Sequence, residues 1–279
     1  MVTAVTLAHF SDIHFGRDVD LDQVGVIEQI VAEVRPDAVV IAGDLTQRAR
    51  HGELQRALVF VQTLQRTAPV LVIPGNHDVE WWRSPFGLLG AGRRYRKYRM
   101  YFGPDLAPRL EIPGAVIGSA LTSHGVALGS MTWNLNDLAV KGHLPRSEAD
   151  RLGRYFESAP AGAVRVAVIH HNVLRGAISR RMGLARWRSA QRLLRATGAD
   201  LILCGHDHQE SAGQLDGVVV VATASGHVRG RIRGGRPAAF NLISIDDTAI
   251  SVQHLRWEAA TRQFVPADMA RFGRARPAR

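Results

Sequence analysis

A single cysteine, Cys204, stands in this chain of 279 residues, so no internal disulfide can form. It ends an apolar stretch, Leu201-Ile202-Leu203-Cys204, with no neighbouring base, and reads as a small core residue rather than a nucleophile or ligand. No run of about 18 apolar residues occurs, which leaves no candidate for a membrane-spanning helix. The amino terminus shows neither a basic n-region nor a long apolar h-region. These absences predict a cytoplasmic protein. Acidic residues are in deficit, 25 Asp and Glu against 35 Lys and Arg, and the resulting charge of +10 favours anionic partners such as phosphates, nucleic acid or acidic lipid headgroups without choosing among them. Arginines cluster at 93–99, 175–195 and 229–236, and each cluster reads equally well as a solvated face. Neither an internal repeat nor a clear linker divides the chain.

The stretch Asp37 to Arg48 organises the rest. Asp37-Ala38-Val39-Val40-Ile41-Ala42 reads as a buried strand that breaks at Gly43-Asp44, which puts Asp44 at the carboxyl end of a core strand, where open α/β sheets hold ligands. A strand over Thr3 to His9 runs into Asp12-Ile13-His14. Apolar residues at helical spacing from Leu21 to Val34 complete a βαβ unit, and Pro36 stops that helix. A helix over Glu53 to Gln65 leads to the strand Val70-Leu71-Val72-Ile73, which ends in Pro74-Gly75-Asn76-His77-Asp78.

Beyond Asp78 the pattern loosens. Residues 79–145 read as an insertion that walls a substrate pocket: a loop at Trp81 to Gly87, a basic aromatic helix at Arg93 to Phe102, strands at Arg109 to Ile112 and Ala115 to Ala120 in a second, less regular sheet, and a polar connection at Met131 to Gly142. Helices at Arg146 to Ser158 and Trp187 to Thr197 alternate with the strands Val164 to Ile169 and Leu201 to Cys204. These strands open into His170-His171-Asn172 and Gly205-His206-Asp207-His208. Gly217 to Ala224, Ala238 to Ile245 and Ala249 to Arg256 are expected to form an antiparallel second sheet. The domain then spans 1–258, and 259–279, rich in Ala, Arg and Pro, reads as a basic tail.

Asp12, His14, Asp44, Asn76, His77, His170, His206 and His208 all fall at strand ends. Carboxylate, imidazole and amide donors together suit Mn, Fe or Zn better than Mg or Ca. They are too many for one ion. Two ions about 3.5–4 Å apart that share a carboxylate would use nearly all of them, and such pairs hydrolyse phosphate esters. A lone strand-end His or Asp is more often a capping or core group, but chance supplying every donor in order is a far weaker reading.

In that order, Asp-x-His, Gly-Asp, Gly-Asn-His-Asp, a strand-end His and Gly-His-x-His resemble the calcineurin-like metallophosphoesterase superfamily, from Asp12 to His208. Asp-Ile-His, Gly-Asp-Leu-Thr and Gly-Asn-His-Asp are closest to its bacterial cyclic-nucleotide phosphodiesterase-type members. The resemblance implies an α/β fold, a four-layer sandwich of two central mixed β-sheets flanked by helices. It also implies two divalent metal ions (Mn, Fe or Zn), one held by Asp12, His14 and His208, the other by Asn76, His170 and His206, with Asp44 bridging. A hydroxide shared by the ions would attack phosphorus in line, His77 would protonate the leaving group, Asp78 would orient His77 and Arg48 would contact phosphate. Two departures matter. Gln47 stands where protein phosphatases of the family place Asp, which argues against that branch. Asn172 replaces a common proline and leaves open whether His170 or His171 is the ligand, with His170 favoured as the first residue after the strand.

The expected activity is hydrolysis of a small phosphodiester such as a cyclic nucleotide. A lipid-linked pyrophosphate hydrolase of the UDP-diacylglucosamine type is an alternative, motivated by peripheral membrane contact through helix 93–102, and the same helix could serve a homodimer contact. A nuclease rests on the basic surface alone.

Overall fold

The computed structural model describes residues 4–17, 19–80, 91–124, 141–176, 180–226 and 237–274. The Trp81–Gly87 loop, most of the Met131–Gly142 connection and the 229–236 arginine cluster lie outside these residues. Among the described residues twelve strands fall in two six-stranded sheets. The first has the order β12-β11-β10-β1-β2-β3, with β1 (Val5–Phe10), β2 (Ala38–Ile41) and β3 (Val70–Val72) parallel to one another. Its remaining strands, β10 (Ala239–Ile245), β11 (Ala249–Glu258) and β12 (Gln263–Gly273), are antiparallel. The second has the order β4-β5-β6-β7-β9-β8. Here β5 (Ala115–Ser119), β6 (Val164–Val168), β7 (Leu201–Cys204) and β9 (Val218–Ala222) run parallel, and β4 (Arg109–Ile112) and β8 (Ser211–Leu215) form antiparallel edges.

Alternation along each strand explains why the sheets stack. Leu7, Ala38, Val40, Leu71, Val166, Val168, Leu201 and Leu203 point into one cluster between the sheets. Their neighbours Ala8, Phe10, Val39 and Ile41 turn the other way, onto α1 (Leu21–Val34) and α2 (His51–Gln65). Ala167, Ile169, Ile202 and Cys204 likewise turn onto α4 (Arg146–Glu157) and α5 (Trp187–Ala196). Strands covered on both faces must be apolar throughout, which is why β2 and β7 read as unbroken hydrophobic runs. The result is the four-layer sandwich expected, and Cys204 is buried in it without exposure.

Four expectations change. The strands after Gly217 do not make one antiparallel sheet: β9 joins the second sheet parallel to β7, whereas β10 and β11 return to the first beside β1. Strand propensity carries no information about which of two apolar edges a strand selects. Strands β4 and β5, assigned from sequence to the 79–145 insertion, belong to the second central sheet, and every residue of β5 is buried. The supposed tail contains β12, paired with β11 from Gln263 to Gly273, with Phe264 packed in the helix-side core; the Ala, Arg and Pro of this exposed edge mask its alternation. Finally, Arg93 to Phe102 begins as a 3-10 turn (Ala91–Tyr95) and becomes α3 (Arg96–Phe102). Tyr95 and Tyr98 are buried against Val79 and Leu106, so these aromatics pack the protein's own core. Among the described residues no helix is long and apolar enough to cross a membrane.

A polar ladder crosses the inter-sheet layer. His9, Asn241 and His254 are register partners on β1, β10 and β11. The Asn241 amide donates to His9 Nδ1 at 3.1 Å and to the Ala222 carbonyl of the second sheet at 3.2 Å, and its Oδ1 accepts from His254 Nδ1 at 2.6 Å. Burial, with His254 adding to it, pushes His9 down to about 3. His9 is therefore neutral in the fold and titrates near 6.5 when unfolded, so its stabilisation is complete above pH 6.5 and is lost as pH falls towards 3. The slope from this one group reaches about 1.4 kcal/mol per pH unit. His9→Gln keeps an acceptor and abolishes the titration. In chelator-treated protein, urea unfolding at pH 7 and pH 5 should show the wild type losing up to about 2 kcal/mol more than the variant between the two. Identical losses would contradict the ladder's role.

Candidate metal centre

Loops leaving the carboxyl ends of β1, β2, β3, β6 and β7 meet at one edge of the sandwich, and five residues there adopt left-handed backbone: Asp12 (φ 56°), His14 (54°), Asp44 (52°), His206 (74°) and His208 (54°). Non-glycine residues in that region cost of order 1 kcal/mol or more each and persist only where their surroundings hold them. Backbone hydrogen bonds between loops supply the hold. Asp12 N donates to Gly43 O (3.0 Å), His14 N to Asp44 O (3.0 Å), Gly205 N to His170 O (2.9 Å) and Ser225 N to Ser11 O (2.7 Å). The approach is close enough that a Cβ on Gly75 would strike the Asp44 amide and carboxylate, and one on Gly205 would strike Ser11 and Asp12.

Asp12, His14, Asp44 and His208 form the first donor group, their ligand atoms all within 4.8 Å of one another. Asp12 Oδ2 accepts from the Ser11 hydroxyl (2.6 Å) and from His206 N (2.9 Å), whereas Oδ1 is buried with no hydrogen-bond donor. That oxygen lies 3.9 Å from His14 Nε2 and 3.6 Å from His208 Nε2. The two imidazole nitrogens face each other at 3.2 Å. His14 Nδ1 sits 3.3 Å from the Thr46 carbonyl, to which it donates, so Nε2 presents its lone pair. Burial, ahead of the neighbouring histidines, holds His14 down to about 4 and thus neutral. A buried carboxylate oxygen that accepts no hydrogen bond from the described residues, beside two facing imidazole nitrogens, is a set that a divalent cation satisfies.

Asp44 connects this group to a second. Its Oδ1 accepts from His77 N (2.8 Å), and its Oδ2 lies 3.9 Å from His14 Nε2 and 3.4 Å from His170 Nε2. Asn76 Oδ1 is 3.0 Å from both His170 Nε2 and His206 Nδ1. His170 Nδ1 donates to the Ala42 carbonyl at 2.8 Å. Of the two adjacent histidines it is His170 that touches Asp44 and Asn76. Burial opposes charge on His170, but the Asp44 carboxylate outweighs it and carries the imidazole up to about 9. Burial alone would raise Asp44, yet His170, His77 and His14 hold it well below the usual carboxylate range. Without ions, a proton on His170 supplies the positive charge that Asp44 requires.

Three residues were expected to act on substrate. The His77 ring packs edge-on to His14 (centroids 4.9 Å, 84°), and its Nδ1 donates to the Gln47 carbonyl at 2.8 Å. Asp78 therefore does not orient it. The buried Asp78 carboxylate accepts from Leu45 N (3.1 Å), Thr46 N (2.8 Å), Thr46 Oγ1 (2.8 Å) and Gly75 N (2.9 Å), tying the loop that carries Asp44 to the loop that carries Asn76. A carboxylate two residues after an asparagine gives no hint of which amides it will reach. Arg48 is exposed, and its guanidinium makes no hydrogen bond or ion pair with the described residues. Sequence reasoning passed over Ser11 and Thr46, because a buried hydroxyl that supports a ligand has no motif. The His124 ring is turned to the Leu121 carbonyl (3.0 Å).

Comparison with known proteins agrees with this geometry. The family model of the calcineurin-like phosphoesterases matches residues 5–210. A glycerophosphodiester phosphodiesterase, GpdQ, from Enterobacter lignolyticus is 34% identical over 143 residues, and the match spans 46% of this chain and about half, 48%, of that protein. Among solved structures, purple acid phosphatase PPD1 from yellow lupin superposes with a TM-score of 0.67 at 14% identity over 98% of this chain and 54% of the other. A dimetal phosphatase from Danio rerio superposes with a TM-score of 0.66 at 14% identity over 97% and 99%. At such identities the two structures speak for the fold alone. The family model, covering most of the chain and all the strand-end donors, decides the matter: the chain belongs to the calcineurin-like phosphoesterase family.

Proposed function

We propose that the chain is a dinuclear metal-dependent phosphodiesterase that hydrolyses a small phosphodiester such as a cyclic nucleotide. The observation that carries this reading is the Asp44 carboxylate, whose Oδ2 faces His14 of one donor group and His170 of the other. Asp12, His14 and His208 would hold one ion, Asn76, His170 and His206 the second, and Asp44 both. When bound, the ions supply Lewis-acid charge for the phosphoryl oxygens and a nucleophile from water at neutral pH.

The chain's own residues do the rest. His77, fixed by the Gln47 carbonyl beside the His14 ring, keeps Nδ1–H in that bond, and as the imidazolium it would give the proton on Nε2 to the departing oxygen. Arg48, whose guanidinium has no partner among the described residues, offers a fork for two phosphate oxygens. Asp78 keeps Asp44 and Asn76 in register through backbone amides. The name of the half-matched relative supports a diester substrate. A lipid-linked pyrophosphate has weaker support, since Tyr95 and Tyr98 are committed to the core, and a nuclease keeps only the basic surface.

Mn-loaded protein should turn over bis(p-nitrophenyl) phosphate and cyclic AMP with a higher kcat/KM than p-nitrophenyl phosphate; preference for the monoester overturns the diesterase assignment. His77→Ala should retain both ions by elemental analysis and lose about 10²–10⁴-fold in kcat on cyclic AMP, with a smaller loss on the nitrophenyl diester, whose leaving group needs little protonation. An unchanged rate on cyclic AMP would remove His77 from the reaction. Metal uptake should release protons, because His170 is charged below about 9 in the ion-free site. Its contribution makes apparent affinity rise about tenfold per pH unit up to that value. Calorimetry at pH 7 in buffers of different ionisation enthalpy should register release of about one proton or more, and release of none would contradict the assignment of His170.

A further inference from the structure

Two tethers hold the loops around His77, and only one of them belongs to the metal centre. On the inner side Asp78 ties Leu45 and Thr46 to Gly75. On the outer side the same two loops are joined again by Lys97, from α3. Its ammonium lies 2.9 Å from Glu80 Oε1, in the segment that leaves β3, and donates at 3.2 Å to the Ala49 carbonyl, in the loop that leaves β2. Glu80 is 1% exposed and Lys97 13%, so the pair is shielded from the water and salt that weaken surface ion pairs. The Glu80 N–H donates to the Arg94 carbonyl at 3.0 Å, which fastens the same segment to the turn that opens α3.

Ala49, at the other end of the tether, is fully buried and left-handed (φ 48°), a conformation that a non-glycine residue keeps only where it is held. Its N–H donates to Thr46 Oγ1 (3.1 Å) and its carbonyl accepts from Lys97. The amides on either side, of Arg48 and Arg50, both donate to Glu53 Oε2 (2.8 and 3.3 Å). Residues 47–50 thus form a bracket pinned at successive residues, and that bracket carries the Gln47 carbonyl to which His77 Nδ1 donates. Asp44 is placed by other bonds, from His14 N and His77 N, and the Asp78 amide contacts set its loop against that of Asn76. Lys97 takes part in none of these.

We propose that Lys97 is a positioning residue for the His77 imidazole: by joining Glu80 to Ala49 it fixes the Gln47 carbonyl opposite Nδ1 and so aims Nε2 at the departing oxygen. This inference rests on the reading of His77 as the acid given above. Ion binding and proton delivery then have separate supports, Asp78 for the first and Lys97 for the second. Loss of the Lys97 ammonium disturbs only the second.

Lys97→Met alone would strip a buried carboxylate of its counter-charge, so the test combines it with Glu80→Gln, which keeps the length of both side chains. The double variant should hold both Mn ions by elemental analysis. It should lose about tenfold or more in kcat on cyclic AMP, where the departing oxygen needs the proton, and about threefold or less on bis(p-nitrophenyl) phosphate. Added to His77→Ala, it should cost no further rate on cyclic AMP, because the group it positions is gone. A readout independent of turnover is the His77 Nδ1–H resonance in metal-free protein, assigned by its absence from His77→Ala. The wild type should show that proton protected from exchange with water, and the double variant should lose the protection. Equal losses on the two substrates, a full additional loss on the His77→Ala background, or an unchanged resonance would each overturn the assignment. A wild type that prefers the monoester overturns the diesterase reading instead, and the resonance still decides whether Lys97 holds His77.

Discussion

The carboxylate of Asp44 is the constraint around which this molecule is built. It is buried to 1% exposure, kept ionised by imidazoles on either side, and reached by residues from three other strands. An isolated charge in such a place is very costly to bury, and pairing is the condition of its survival. The sandwich meets that condition because β2, which delivers Asp44, lies inside the first sheet, while β6 and β7 bring His170 and His206 from the second. The site is thus a product of sheet stacking. Neither sheet alone holds both donor groups.

Local strain and global packing are coupled in the same place. Left-handed backbone at Asp12, His14, Asp44, His206 and His208 is unfavourable for each residue taken singly. It is held by hydrogen bonds between loops that are far apart in sequence, such as Asp12 N to Gly43 O and His206 N to Asp12 Oδ2. Asp78 fits the same logic. A carboxylate that looks catalytic by its neighbours spends both oxygens on Leu45, Thr46 and Gly75, and it acts on the chemistry only through where those loops sit.

Strands β1, β2, β3, β6 and β7 were legible because each is an apolar run that ends in Gly, Pro or polar residues, and the polar ends carry their own spacing. The partners of β9, β10 and β11 were not, since β-branched residues pair equally well with either sheet. Strand β12 escaped for a different reason: as an edge strand it is mostly exposed, and its Asp268, Arg271 and Pro266 read as tail. Tyr95 and Tyr98 illustrate the converse error, in which aromatics flanked by arginines suggest an interfacial face but fill a core.

By itself the amino-acid order determined which candidate donors gather at strand ends, because the strand-then-turn pattern is local and the side chains that follow each strand can be read directly. It also determined that one acid, Asp44, would be central. Tertiary structure alone decided that His170 rather than His171 meets Asp44, that Gln47 rather than Asp78 orients His77, and that Lys97 joins Glu80 to the Ala49 carbonyl. Those outcomes depend on which carbonyl or hydroxyl an opposing loop presents at about 3 Å, and that is settled only when two sheets, distant in the chain, close on each other.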